Sequence, residues 1–124
     1  MVLEGNEKKL KIIISESEVI YQRNLYEAII FAAKKYTMAG VTATKGFLGF
    51  GADGPKNGNR GINFKTEPPI TIEIVDREER IEDFSKVVSS LLDKANASGI
   101  VYIESVNVVC FRKQEDAKTS ANHI

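Results

Sequence analysis

The stretch PPITIEIVDREERIEDFSKVVSSLLDKA changes its apolar period over a few residues, and that change limits the folds open to the chain. Ile70, Ile72 and Ile74 alternate with Thr71 and Glu73, the period-two pattern of a strand with one buried face. From Ile81 the apolar residues recur as Phe84, Val87, Val88, Leu91, Leu92 and Ala95, the 3.6-residue period of an amphipathic helix. Asp76 followed by Glu79 has the pattern of a helix start between the two. A strand with one apolar face running into a helix with one apolar stripe requires the helix to pack back onto the sheet.

The first half of the chain has the same grammar. Residues 10–15, LKIIIS, predict a buried strand, and residues 17–23 a polar connection. Asn24 with Glu27 predicts a capped helix over 25–38, dense in apolar residues and ended by Gly40. Residues 41–48 predict a second strand. Pro68-Pro69 offers no amide to a ladder, so pairing of the third strand is expected to begin after it. Gly99 is expected to close the second helix, and 100–111 to hold one or two strands with a break near Glu104-Ser105. The order is that of an α+β ferredoxin-like β-α-β-β-α-β sandwich: two helices on one face of an antiparallel sheet, with a long loop between strands 2 and 3. One domain over 9–112 is expected, with flexible tails at 1–8 and 113–124. Val106, Val108 and Cys110 alternate with Asn107, Val109 and Phe111, so the last strand reads as apolar on both faces over part of its length. That predicts a second sheet face covered by another copy of the chain, the alternative being a cover supplied by the tail or loop.

Composition removes several function classes. Seventeen basic and 17 acidic residues give zero net charge, which does not favour broad attraction to nucleic acid. Phe111 and Tyr102 are too few aromatics for an RNA-stacking sheet. No apolar run is long enough to span a membrane, and no signal peptide is evident, so a cytoplasmic protein is expected. With one cysteine, Cys110, and one histidine, His123, a zinc site of several Cys or His ligands cannot form within a chain. Cys110 sits in the apolar run VNVVCF and reads as a buried small hydrophobe. No nucleophile is paired with a base, and the chain is not expected to be an enzyme.

Six of the nine glycines lie between Gly46 and Gly61, in KGFLGFGADGPKNGNRG. Glycine amides in turns form anion-binding nests, and Lys45, Arg60 or Lys65 would gather around such an anion. No GxxxxGK[ST] pattern occurs, and Pro55, Gly58 and Gly61 break the helix that a dinucleotide fingerprint needs. A second candidate is an oxygen cluster of Glu16, Glu18, Asp76, Glu78 and Glu79, if the ends of the first and third strands share an edge. The simpler reading makes Asp76 a helix cap and the two glutamates partners of the helix dipole.

The segments KKLKIIISESE, NLYEAIIFAAKKYTMAGVTATKGFLGFGADG, PPITIEIVDREERIEDF and ESVNVVCFR resemble the uncharacterised PII-like proteins, relatives of the nitrogen-regulatory PII and CutA proteins. The similarity runs from about Lys9 to Arg112. It implies a trimer with inward-facing sheets, a mobile T-loop between the second and third strands, and an adenine-nucleotide site in the clefts between subunits. The ligand edge it implies is Gly49, Phe50, Gly51 and Ala52, with Arg112 offered to phosphates and the 53–61 tip to a regulated partner, such as a membrane transporter or an enzyme. Nucleotide would act as effector; no cofactor is expected. The phosphate loop that PII proteins carry after the second helix is replaced here by ANASGIVYI, without a lysine, so AMP or another small anion fits better than ATP. The alternative is a CutA-like structural or metal-binding trimer that binds no nucleotide.

Overall fold

Two isoleucine-rich strands form the centre of the sheet. In a computed structural model, which describes residues 3–47 and 68–114, β1 (Gly5–Ser15) runs antiparallel to β5 (Pro69–Asp76). Leu10 stands opposite Ile74, Ile12 opposite Ile72 and Ile14 opposite Ile70, and all six are buried. Each such side chain contributes about 1.5–3 kcal/mol through burial. Between β1 and the first helix a small hairpin joins β2 (Val19–Ile20) to β3 (Arg23–Asn24), turning through Tyr21 and Gln22 at φ of 48° and 67°. Helix α1 (Leu25–Lys35), β4 (Gly40–Lys45), α2 (Glu78–Ala95) and β6 (Gly99–Val108) complete the chain.

The sheet order is β4-β5-β1-β6, every neighbour antiparallel, with a separate two-stranded ribbon in β2-β3. This is the expected ferredoxin-like sandwich. Helix α1 lays Leu25, Ile29 and Ala33 on the sheet, and α2 lays Ile81, Phe84 and Val88. The strict alternation of β5 was correctly anticipated, as was the stripe of α2. Helix α1 is less enclosed than its apolar density suggests: one stripe is buried, while Phe31 and Tyr36 are exposed.

Several local readings are corrected. β1 begins at Gly5, and Leu3 is buried, so ordered packing starts before Lys9. Neither helix carries a side-chain N-cap hydrogen bond; the N-cap positions are Asn24 and Arg77. The glycines do not end the helices. Thr37 and Asn96 take the left-handed conformation there, at φ of 54° and 50°, while Gly40 and Gly99 open the following strands. Gly99 is needed for space: a Cβ there would lie 2.7 Å from Ile14 Cγ2 and 2.8 Å from the Ile13 carbonyl oxygen. β5 starts at Pro69, because the proline carbonyl can still accept, and does so from Gly46 N at 2.7 Å. β6 is one unbroken strand past Glu104-Ser105.

One polar cluster ties these elements together. Asp76 has no exposed surface. Its carboxylate accepts from Arg77 N at 2.7 Å, Ala39 N at 3.0 Å and Arg80 Nε at 3.0 Å. Arg80 Nη2 donates to the carbonyls of Tyr36 at 2.7 Å and Thr37 at 3.0 Å. Those carbonyls belong to the end of α1, where backbone acceptors have no partner in the helix. Asp76 is therefore a tertiary anchor and not the helix cap that sequence suggests.

Two outcomes follow for urea unfolding. Arg80→Ala leaves the buried Asp76 carboxylate without its charge partner and lowers stability by about 3 kcal/mol or more; a loss under about 0.5 kcal/mol would contradict the anchor role. Gly99→Ala overpacks the β1–β6 contact and costs about 1–3 kcal/mol, whereas a neutral result would show that β6 shifts freely.

Candidate functional site

β4 delivers Lys45 to one end of the sheet, in the row Lys45, Ile70, Ile14, Gly99. Lys45 is exposed, and its Nζ lies 3.1 Å from Glu16 Oε2 on the turn after β1. The chain beside it is closely held. Glu16 N donates to the Pro68 carbonyl at 3.0 Å, and a Cβ on Gly46 would stand 2.6 Å from Pro69 Cγ. Glycine is therefore required at Gly46 by close approach to Pro69. Of the other residues expected at a ligand edge, Gly49, Phe50, Gly51, Ala52 and Arg60 lie outside the described residues, as does Lys65.

Arg112 is exposed and follows β6, whose last residue, Val108, pairs with Gly5. β6 and β4 are the two edges of the sheet, and Val108 and Lys45 fall at its opposite ends. One chain does not bring Lys45 and Arg112 together.

The turn between β1 and β2 reaches toward both edges at the Lys45 end. Glu16 holds Lys45, and Glu18 Oε2 accepts from Ser98 N at 3.1 Å in the α2–β6 turn. Sequence reading placed Glu16 and Glu18 in one cluster with Asp76, Glu78 and Glu79. Antiparallel pairing separates them, since Ser15 stands opposite Pro69 while Asp76 stands opposite Lys8 at the far end. Among the described residues no group of three or more His, Cys, Asp or Glu side chains is arranged to hold a metal ion.

The face of the sheet away from the helices differs from the apolar surface anticipated. Lys9 lies 3.8 Å from Glu73 and 3.5 Å from Glu104, and Lys11 lies 3.5 Å from Glu73. Lys11 Nζ also sits 5.9 Å from the centroid of the Tyr102 ring. Hydrogen bonding to Tyr102, and then Glu73, holds the Lys11 ammonium above the ordinary lysine value of 10.5. The raised value means this contribution to the fold is in place at neutral pH and is lost only as pH rises above the ordinary lysine range. Apolar residues on this face, Ile13, Ile100 and Val106, flank the charged grid. The signal was present in KKLKIII, where Lys9 and Lys11 alternate with Leu10 and Ile12. Cys110 is exposed and not buried, because β6 has lost its partner strand by Val108 and Val109 beyond it is exposed.

Solved structures with the same fold include CPII from Thiomonas intermedia K12 in a complex with ADP, AMP and acetate. It is 18% identical, with a TM-score of 0.61 over 86% of this chain and 92% of that one. CPII bound to ADP and bicarbonate gives a TM-score of 0.60 at 18% identity, over 87% and 93% of the two chains. A putative PII-like signaling protein from Thermus thermophilus is 20% identical, with a TM-score of 0.53 over 87% of this chain and 94% of that one. Among curated sequences, a UPF0166 protein from Aquifex aeolicus (strain VF5) is 26% identical over 102 residues, 82% of this chain and 92% of the relative. The family model DUF190, described as "Uncharacterized ACR", matches residues 7–108, from within β1 to the last residue of β6, and the chain belongs to that uncharacterised family.

Proposed function

We propose that the protein is a cytoplasmic PII-like regulator that binds a small anionic effector, an adenine nucleotide such as AMP, in the clefts of a homotrimer. It acts by binding and not by catalysis. The observation that carries this reading is the separation of Lys45 from Arg112 on a chain whose fold matches CPII, which is bound to ADP and AMP. An anion held by both residues has to lie between two copies. In a closed ring each copy offers its Lys45 end to a neighbour's Arg112 end.

Cation pairing supports the choice of ligand. Among the described residues Lys45 is matched by a single carboxylate, Glu16, on an exposed surface. Such a pair is worth at most about 1 kcal/mol, so a phosphate can displace it. The Ser98 amide is already taken by Glu18, within the α2–β6 segment that stands where PII proteins keep a phosphate loop. That favours an effector with fewer phosphates. Gly49, Phe50, Gly51, Ala52 and Arg60 complete the proposed ligand edge. The segment over 53–61 is the proposed contact for a regulated protein, a transporter or an enzyme. The effector acts through its different affinity for two states of the protein.

Calorimetric titration with AMP, ADP, ATP and cyclic AMP tests the reading. AMP is expected to bind saturably and at least as tightly as ATP, and Lys45→Ala or Arg112→Ala to weaken it about tenfold, or about 1.4 kcal/mol. The absence of both heat and thermal stabilisation across the four nucleotides would refute it. Light scattering on the eluting protein is expected to give three times the 13.7 kDa chain mass; a monomer would remove the proposed cleft.

A further inference from the structure

The described lysines before Lys113 divide into two groups. On the sheet side, Lys8, Lys9, Lys11 and Lys45 each have a hydrogen-bond or carboxylate partner. On the helix layer, Lys34 and Lys35 at the end of α1 and Lys86 and Lys94 on α2 are exposed and have no carboxylate partner among the described residues. Lys86 and Lys94 flank a shallow groove of about 370 Å³, lined by Tyr36, Val87, Ser90 and Leu91 besides themselves. Tyr36 is 54% exposed, and its ring packs edge-on against Phe84 with centroids 5.8 Å apart. The ring is thus fixed from below and presents its outer part to the groove. Val87 and Leu91 are half-buried beside it. The acids of α2 gather in its first half, at Glu78, Glu79, Glu82 and Asp83, with Asp93 near its end; Glu82 and Asp83 lie one turn before Lys86 but form no ion pair with it.

We propose that this groove between the end of α1 and the second half of α2 docks an amphipathic helix of a partner protein that carries two carboxylates two turns apart. Lys86 and Lys94 are eight residues apart on one helix, so their Cα atoms are separated by about 12 Å along it. A facing helix matches that separation with acids at i and i+8. Aliphatic side chains between those acids would cover Val87, Leu91 and the Tyr36 ring, the helix-in-groove mode of recognition. The cations without carboxylates specify the charge of the occupant, since a basic or neutral helix would leave them unmatched. Tyrosine is also among the residues that most often carry the binding energy of an interface centre.

The experiment uses the full chain and a fluorescein-labelled, helix-forming 20-residue peptide. The peptide carries glutamate at two positions eight apart, with leucine at the first, fourth and fifth positions between them. Fluorescence anisotropy is expected to show saturable binding. Replacing both glutamates with glutamine, or making Lys86→Glu with Lys94→Glu in the protein, is expected to weaken it at least tenfold. A peptide with lysines in place of the glutamates is expected to recover binding to the doubly substituted protein. These positions are exposed, so circular dichroism should be unchanged; Lys86→Gln with Lys94→Gln provides a milder second variant. No saturable binding, equal binding of the glutamine peptide, or indifference to the substitutions would overturn the proposal. So would charge-dependent binding to phosphatidylserine vesicles without binding to the peptide.

Discussion

A fully buried carboxylate, Asp76, is the constraint on which the arrangement of this protein depends. It ends the central strand β5, begins the turn into α2, and accepts the amide of Ala39 just before β4. Through Arg80 it reaches the last carbonyls of α1. One ion pair therefore fixes how both helices leave the sheet. Isolated from that arginine, a buried carboxylate would be strongly unfavourable. The apolar rows of β1 and β5 supply the floor of the core, but they do not specify where the helices end. The Asp76–Arg80 pair does, and it lies at the end of the sheet away from Lys45. The loop-bearing end can thus vary without disturbing it.

Much of this architecture was legible in the sequence because it rests on local periodicity. The alternation at Ile70, Ile72 and Ile74 and the stripe at Ile81, Phe84 and Val88 are written in consecutive residues. Helix ends were read less well. Gly40 and Gly99 look like helix terminators, yet Thr37 and Asn96 adopt the left-handed conformation. Gly99 answers instead to the Ile14 side chain, more than 80 residues earlier in the chain. Cys110 failed for a related reason. Its apolar neighbours suggest burial, but burial requires a partner strand, and β1 has ended. Long-range register decides both cases, and register is not a local property.

The candidate site was legible only as a composition, a glycine-rich stretch with interspersed cations. Neither the Glu16–Lys45 pair nor the Glu18–Ser98 hydrogen bond could be read from spacing, since each joins segments brought together by folding. The structure also adds a constraint that the sequence alone did not give. Lys45 and Arg112 lie at opposite edges and opposite ends of the sheet, so a ligand that uses both belongs to the assembly and not to the chain. The fold is shared with nucleotide-bound CPII, and the chain belongs to the DUF190 family.

Mixed trimers test the shared site most directly. Lys45→Ala and Arg112→Ala subunits are denatured together in equal amounts, reassembled, and titrated with AMP. Each variant alone is expected to bind weakly. In the mixture, an Arg112→Ala subunit offers intact Lys45 to the intact Arg112 of a Lys45→Ala neighbour, so about one cleft in four regains wild-type affinity by random mixing. If no tight sites return in the mixture while wild-type trimers treated in the same way recover theirs, the two residues do not meet across a subunit boundary, and the account is wrong.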